Sequence, residues 1–173
     1  NLIPMDERSF KGAFYTPLHV VDKAYDKLVD TLGKNWQREY ILWDMCCGVG
    51  NLEVKHSNPR NIFMSTLDQV DVDMMRATKT CVAATRFQYD YLNDDIADDG
   101  KIDYSLTNKV PQALRDAIAA GKKILVLINP PYGETGAGVG KGGVNKKGVE
   151  QTRINASMTD VGYASKELFV QFL

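Results

Sequence analysis

Short apolar runs alternate with amphipathic segments along most of this chain. Four of the apolar runs have the length of a β-strand, and they lie at 40–43, 62–67, 87–89 and 124–128. The segments between them, at 50–56, 72–82 and 110–120, are long enough for crossover helices. This alternation predicts an α/β fold with a mostly parallel sheet that is covered by helices on both faces.

The first helix is predicted to begin at Thr16 and Pro17, because threonine is a favourable N-cap and proline fits the first turn. Its apolar stripe consists of Leu18, Val21, Ala24, Tyr25, Leu28, Val29 and Leu32. Gly33 is expected to end this helix, since glycine is common just beyond a helix C-terminus.

Each apolar run is followed by a polar side chain that carries a hydrogen-bond acceptor. These side chains are Asp44, Asp68, Asp90 and Asn129. In an open parallel sheet, ligands bind at the carboxyl edge, in the crevice where the strand order reverses. The four side chains are therefore predicted to line a ligand-binding edge.

A tight glycine turn follows the first run, where Gly48 and Gly50 allow the backbone to approach a ligand closely. A dinucleotide fingerprint would place a third glycine at position 53, and Glu53 in its place argues against NAD or FAD. Asp68, 24 residues after Asp44, is positioned to accept hydrogen bonds from both hydroxyls of a ribose. A solvated aspartate at a strand end is the alternative interpretation of Asp68.

The most specific signal is the Asn-Pro-Pro-Tyr tetrapeptide at 129–132. Each proline forces the residue before it out of the helical region, so the backbone is extended and its carbonyls are fixed in direction. The Asn129 side-chain oxygen and a rigid carbonyl can then accept both hydrogens of one planar NH₂ group. Tyr132 offers a ring face on which a nucleobase can stack. A structural turn with a packed tyrosine is the alternative, but it explains only the prolines.

Composition and charge restrict the class of protein. A chain of 173 residues, 44% apolar and 25% charged, is typical of one soluble globular domain. No apolar run approaches about 18 residues and no secretory pattern is present, so we expect a cytoplasmic protein without a membrane partner. Three cysteines, an odd number, indicate free thiols in a reducing compartment. With a net charge of −1, contact with nucleic acid would depend on a local patch.

The candidate patch lies in and after the stretch 133–150, which is rich in glycine and lysine and is predicted to be a flexible loop. Its basic side chains are Lys141, Lys146, Lys147 and Arg153. Against Glu150 they leave the segment 141–153 with a charge of +3, which suits either closure over a nucleic-acid backbone or a solvated loop. The stretch 90–103 holds six aspartates against Lys101 and, apart from Asp90 itself, is expected to face away from DNA.

The cysteine and histidine positions predict no metal site. Cys46 and Cys47 are adjacent, which is not a metal-ligand spacing, and Cys81 stands on a predicted helix. All three are interpreted as small buried residues. His19 and His56 have no matching partner in the sequence and are expected to be surface or packing residues.

Three motifs occur in the order found in S-adenosylmethionine-dependent methyltransferases of the Asn-Pro-Pro-Tyr type. They are the segments 14–17, 44–50 and 129–132. The chain resembles most closely the adenine-N6 DNA methyltransferases in the gamma arrangement, in which the cofactor region precedes the catalytic tetrapeptide and DNA recognition follows. The resemblance implies a Rossmann-like class I methyltransferase core over 1–173.

The resemblance also implies S-adenosyl-L-methionine as the cofactor. Its methionine end would be contacted or covered by Phe14, Tyr15, Thr16, Pro17, Asp44, Cys46, Gly48 and Gly50. Asp68 would bind the ribose, and Asp90 with Tyr91 would hold the adenine. The catalytic residues would be Asn129, Pro130, Pro131 and Tyr132.

The expected reaction follows from the chemistry of the adenine amine, whose lone pair is delocalised into the ring. The sulfonium methyl group is strongly electrophilic, so no protein nucleophile is needed. Asn129 Oδ1 and the Pro130 carbonyl, aimed at the amine hydrogens, favour a pyramidal nitrogen with its lone pair directed at the methyl group. A base inside duplex DNA cannot reach such a pocket, so it must be flipped out, and Tyr132 would stack on it.

Only four strands can be identified in this sequence, whereas the methyltransferases that it resembles have seven. We therefore expect a partial chain that lacks a target-recognition domain or subunit, binds cofactor weakly and methylates no DNA unaided. The expected function is DNA methylation in a bacterial modification or restriction-modification system. A glutamine-N5 protein methyltransferase, an RNA base methyltransferase and a non-catalytic nucleotide-binding or assembly module stay open as alternatives.

Overall fold

The structure, a computed structural model, describes residues 15–132, 152–158 and 162–172. It divides into two compact units, of which the first comprises Tyr15–Asp90 and Asn108–Asn129. The second contains the described residues of Tyr91–Thr107 and Pro130–Leu173. The predicted residues that lie outside the described ranges are Phe14, Lys141, Lys146, Lys147 and the loop at 133–150.

The first unit is built on four strands. They are β1 (Ile41–Asp44), β2 (Ile62–Thr66), β3 (Thr85–Gln88) and β4 (Ile124–Val126). Their order in the sheet is β3-β2-β1-β4, and all neighbouring pairs are parallel. The predicted α/β fold with a parallel sheet is thereby confirmed, and the strand order is compatible with a Rossmann-like fold.

The ends of two strands differ from the prediction. Strand β4 stops at Val126 rather than at residue 128, because its pairing with β1 ends where Val126 lies opposite Trp43. Strand β3 starts before the apolar run at 87–89, because backbone pairing with β2 includes the polar residues Thr85 and Arg86. Strand pairing thus depends on the neighbouring backbone more than on where an apolar run begins and ends.

The first helix, α1 (Leu18–Leu32), has Pro17 at its N-cap position, so the prediction that Thr16 caps it is wrong. The Thr16 hydroxyl is hydrogen-bonded to Asn129 instead. Gly33 does end the helix as predicted, with φ at +91° and its N–H donating to the Val29 carbonyl.

The predicted stripe of α1 is only partly buried. Val21 and Tyr25 are buried against the rest of the first unit, whereas Leu18 and Val29 are 51% and 40% exposed. A second, one-turn helix, α2 (Trp36–Glu39), leads from α1 into β1 and buries the Trp36 ring.

The first crossover, at 50–56, was predicted as a helix and is not one. Turns occupy this segment, and a 3₁₀ helix at Pro59–Asn61 leads into β2. Pro59 disfavours a helical conformation at Asn58, whose backbone N–H donates to His56 Nδ1 at 3.0 Å. The other two crossovers contain the helices α3 (Gln69–Ala77) and α4 (Gln112–Ala119).

Cys81 lies beyond the end of α3, in a turn where its φ is +50°, so its predicted place on a helix is wrong. The core of the first unit lies between the sheet and these helices. Its buried members are Val21, Tyr25, Trp36, Leu42, Cys47, Leu52, Ile62, Met64, Val72, Met75 and Ala84. This core fixes the strands whose carboxyl ends carry the predicted site residues.

The second unit contains short elements. An isolated antiparallel bridge joins Ile96 to Ile102, and the helices α5 (Arg153–Ser157) and α6 (Leu168–Gln171) lie on either side of a 3₁₀ helix at Gly162–Lys166. Among the helices of the described ranges, none is long and apolar enough to cross a membrane.

Candidate functional site

Three predicted acceptors follow neighbouring parallel strands. Asp44 is the last residue of β1, Asp68 follows β2, and Asn129 follows β4. Because β2, β1 and β4 are adjacent and parallel, their carboxyl ends lie at one edge of the sheet. The chain runs from β1 to β2 on one side and places β4 on the other, so the strand order reverses between β1 and β4.

Asp90 follows β3, the next strand in the sheet. The backbone N–H of Tyr89 donates to the Thr66 carbonyl at 2.9 Å, which continues the pairing of β3 with β2 as far as the residue before Asp90. Asp68 is the N-cap residue of α3 and is half-buried, and its carboxylate makes no capping hydrogen bond. All four predicted strand-end acceptors therefore occur at the carboxyl side of the sheet.

The glycine turn is held by the residues on either side of it. The backbone N–H of Cys46 donates to Asp44 Oδ1 at 2.9 Å, and that of Cys47 donates to the Ser65 carbonyl of β2 at 2.9 Å. Gly48 and Gly50 have φ of +54° and +89°, a region that side-chain-bearing residues rarely occupy. The sequence correctly placed a sharp backbone turn directly after β1.

Tyr15 lies against this turn. A Cβ built at Gly48 would be 3.4 Å from Tyr15 Cε1, so the absence of a side chain at Gly48 lets the turn and the ring approach each other. Asn51, at the far side of the turn, donates from Nδ2 to the Thr16 carbonyl at 3.2 Å. The segment before α1 is thus bound to the glycine turn through two successive residues.

Asn129 is bound to both of these segments. Its Nδ2 donates to Thr16 Oγ1 at 2.9 Å, and its backbone carbonyl accepts from Cys46 Sγ at 3.6 Å. Burial raises the pKa of the Cys46 thiol, which keeps the thiol protonated as a donor. The first unit therefore brings together Thr16, Cys46 and Asn129, one residue from each of three motifs that are far apart in the sequence.

Asp44 and Glu53 form a buried pair of carboxyl groups beneath the turn. Asp44 is 0% and Glu53 1% exposed, and among the described residues Asp44 Oδ2 and both oxygens of Glu53 have no hydrogen-bond partner. Burial raises the pKa of Asp44 to about 6, and burial together with the negative charge of Asp44 raises that of Glu53. The carboxyl group of the buried Asp44 accepts a hydrogen bond from the Cys46 amide and so holds the start of the glycine turn in place.

Sequence reasoning assigned no role to Glu53 or Asn51. Glu53 was considered only as a replacement for a glycine, and Asn51, which follows the turn, was not singled out. Asn51 and Glu53 follow the two glycines closely, and a tight turn at those glycines places their polar side chains within the fold. Their hydrogen-bonding demand is the signal that could have found them.

The buried pair predicts how stability depends on pH. The pKa of Asp44 is about 6 in the folded protein against an ordinary value of 3.8, so the folded state holds more protons than the unfolded chain between these values. This contribution stabilises the fold below about pH 4 and is lost as the pH rises through 6. Because burial and the Asp44 charge raise the pKa of Glu53, this carboxyl group also costs stability at pH 8, and Glu53→Gln, which removes that cost, should raise the free energy of unfolding at pH 8 by about 1–3 kcal/mol.

Urea unfolding between pH 4 and 8 measures this effect. Glu39→Gln, at an exposed glutamate of α2, is the control and should follow the wild type throughout. Parallel pH curves for the wild type and Glu53→Gln would show that the pKa of Glu53 is not raised in the folded protein.

Four other predicted site residues belong to the second unit. They are Tyr91, Pro130, Pro131 and Tyr132. Tyr91 is stacked on Phe172 with ring centroids 5.4 Å apart, and burial raises the Tyr91 pKa. Pro130 and Pro131 are half-buried, and Tyr132 is 56% exposed, with its ring centroid 6.1 Å from that of Phe169. Tyr132 therefore keeps a large accessible surface in this unit.

Arg153 is the one member of the predicted basic patch that the described ranges include. Its Nη2 lies 2.9 Å from Asp98 Oδ1, and its backbone N–H donates to Asn93 Oδ1 at 2.8 Å. Arg153 starts α5, and its exposed ion pair leaves the guanidinium in contact with solvent.

His56 packs in the core, and packing is one of the two roles, surface or packing, that the sequence predicted for it. Its ring lies edge-on to Trp36 and Tyr25, with centroid distances of 5.3 Å and 6.5 Å, and burial lowers its pKa to about 4. His19 is exposed on α1. All three cysteines are free thiols, but only Cys47 is buried, because Cys46 and Cys81 are partly exposed.

No group of three or more histidine, cysteine, aspartate or glutamate side chains in the described ranges is arranged to hold a metal ion.

No protein-family model, curated protein or solved structure matches this chain.

Proposed function

We propose that this chain carries the cofactor-binding and catalytic core of an S-adenosylmethionine-dependent adenine-N6 DNA methyltransferase. The observation that carries the proposal is the contact between Asn129 and Thr16, made beside the glycine turn at the edge where the strand order reverses. This contact links Thr16, from the motif at 14–17, to Asn129, from the motif at 129–132. Cys46, from the motif at 44–50, donates to the Asn129 carbonyl. A structural turn alone would not require the three to meet.

The residues present fit such a cofactor. The turn at Gly48 lies against the Tyr15 ring without a Cβ between them, and the half-buried Asp68 stands at the neighbouring strand end as an acceptor for ribose hydroxyls. Asp44 would act from beneath the turn by holding the Cys46 amide. When bound, S-adenosylmethionine supplies an electrophilic methyl group on a sulfonium.

The chain's own residues would activate the amine. Asn129 Oδ1 and the Pro130 carbonyl are the two acceptors assigned to its hydrogens, and each hydrogen bond strengthens as the nitrogen begins to carry positive charge. Orientation of the amine toward the methyl group accounts for further acceleration. The exposed ring of Tyr132 is assigned to stack on the flipped base.

A transfer experiment tests the proposal. The protein that carries this sequence is incubated with S-adenosylmethionine labelled in its methyl group and, in separate reactions, with duplex DNA, RNA and a protein rich in glutamine. We expect label in DNA, recovered as N6-methyladenine after digestion to nucleosides.

The other outcomes each contradict the proposal in a different way. Label in a glutamine side chain would indicate a protein methyltransferase, and label in RNA an RNA base methyltransferase. Cofactor binding without transfer to any of the three would favour a nucleotide-binding module.

A further inference from the structure

The buried pair, Asp44 and Glu53, stands at the two ends of the glycine turn. Asp44 ends β1 and accepts the Cys46 N–H on Oδ1, and the Glu53 N–H donates to the Gly50 carbonyl at 3.2 Å. The two carboxyl groups lie close enough to share a hydrogen bond if one of them carries a proton. The backbone that connects them is the same turn that the proposed function assigns to the cofactor.

Within the described ranges, no positive charge accompanies the buried pair. Neither carboxyl group forms an ion pair there, and Asp44 Oδ2 and both Glu53 oxygens have no hydrogen-bond partner. Burial raises the pKa of each titratable side chain in electrostatic contact with the pair, so these groups are uncharged at pH 7. They are Tyr25 from α1, Cys46 and Cys47 from the turn, and Cys81 from the turn beyond α3.

The charged and titratable groups farther out do not neutralise the pair either. Arg86 of β3 acts on Cys81, and its guanidinium is bound to the carbonyls of Met75 and Thr80. Asp71 of α3 is acidic and acts on Cys47. The pKa of His56 is lowered to about 4, so its ring is neutral as well.

Two carboxylates in such surroundings cannot both be ionised without a large cost in free energy. Like charges in a low-dielectric interior repel each other strongly, and burial penalises each of them further. One proton shared between the two groups removes the repulsion and gives their oxygens a hydrogen bond. At neutral pH the pair as a whole is therefore expected to hold one proton and one negative charge.

A cation held at the glycine turn would change this balance. Its positive charge attracts a second negative charge in the buried pair and so favours loss of the shared proton to solvent. The low dielectric around the pair makes this attraction larger than it would be in water. A ligand without the positive charge would leave the proton in place.

We propose that Asp44 and Glu53 are a charge-sensing pair that holds one shared proton in the free protein and releases it to solvent when a sulfonium cofactor binds at the glycine turn. The inference rests on the proposed cofactor and deepens it. It gives Glu53 a role in distinguishing the charged cofactor from its neutral, demethylated product.

Infrared spectroscopy of the free protein at pH 7 tests the first part of this inference. The wild type should show the carbonyl stretching band of a protonated carboxyl group, which shifts in D₂O. Glu53→Gln should lose this band, and Glu39→Gln, at an exposed glutamate, should keep it. A wild-type protein without the band would overturn the inference.

Titration calorimetry at pH 7, in buffers of different ionisation enthalpy, tests the second part by counting released protons. Binding of S-adenosylmethionine to the wild type should release at least about half a proton per molecule bound. S-adenosylhomocysteine, which has the same amino acid end but a neutral sulfur, should release less than half as much. Glu53→Gln should bind S-adenosylmethionine without releasing a proton, and Glu39→Gln should behave like the wild type.

The failures of the two proposals can be told apart. Equal proton release by the wild type and Glu53→Gln, or with the two ligands, would overturn the charge-sensing role and leave the proposed function intact. The comparison of the two ligands uses the wild type alone, so it decides the question even if Glu53→Gln does not fold. Absence of S-adenosylmethionine binding by the wild type would overturn the proposed function and this inference together.

Discussion

Asn129→Ala should strongly reduce methyl transfer while leaving cofactor binding almost unchanged. The substitution removes the amide oxygen assigned to one hydrogen of the amine, a contact that strengthens chiefly in the transition state. Removal of one such group from a preorganised site typically lowers kcat by about 10²–10³-fold. Single-turnover transfer of a labelled methyl group measures the loss, and calorimetric titration with S-adenosylmethionine measures binding.

Asn35→Ala is the control for this substitution. Asn35 precedes α2, is exposed and makes no side-chain capping hydrogen bond, so its truncation should affect neither transfer nor binding. A protein in which Asn129→Ala keeps full transfer activity would contradict the assigned chemistry. A non-catalytic nucleotide-binding module would tolerate both substitutions equally.

Gly50→Ala should destabilise the fold by about 2–5 kcal/mol, the sum of backbone strain and overpacking. The φ of Gly50 is +89°, which an alanine rarely adopts. The new Cβ would lie 2.8 Å from Met64 Cε and 3.4 Å from Met75 Sδ. Met64 and Met75 are both fully buried, so their side chains have little space into which to move.

Gly33→Ala separates the two contributions to this loss. Gly33 has a nearly equal φ of +91°, but a Cβ built there has no atom within 4 Å. Its substitution should cost only about 1–2 kcal/mol, because it introduces strain without overpacking. Urea unfolding of the two variants gives the comparison. Equal losses would mean that the methionine core accommodates the new methyl group.

The parts of the fold that sequence reasoning predicted are those that depend on local pattern. The apolar runs at 40–43 and 62–67 correspond to β1 and β2 within one residue at each end, since buried strands in a parallel sheet need continuous apolar surface. Gly33 and the turn at Gly48 were also predicted, because positive φ favours glycine.

The errors occurred where neighbouring segments decide the conformation. The segment 50–56 has the length of a short helix but is held in turns, and Cys81 lies in a turn beyond α3 with a positive φ that its residue type does not favour. Strand β3 includes the polar Arg86, whose guanidinium donates to the carbonyls of Met75 and Thr80. No local pattern contains these partners.

The candidate site shows the same division. Residue types and their order along the chain were sufficient to select Asp44, Asp68 and Asn129 as edge acceptors, because a polar residue after an apolar run predicts a strand end wherever the strand lies in the sheet. Only the tertiary structure decided that Thr16 receives the Asn129 amide instead of capping a helix, and that Glu53 is buried beside Asp44. A hydroxyl or a carboxyl group has several partners of similar energy within reach of an unfolded chain. Packing of the core around β1 determines which of those partners is close enough to bind.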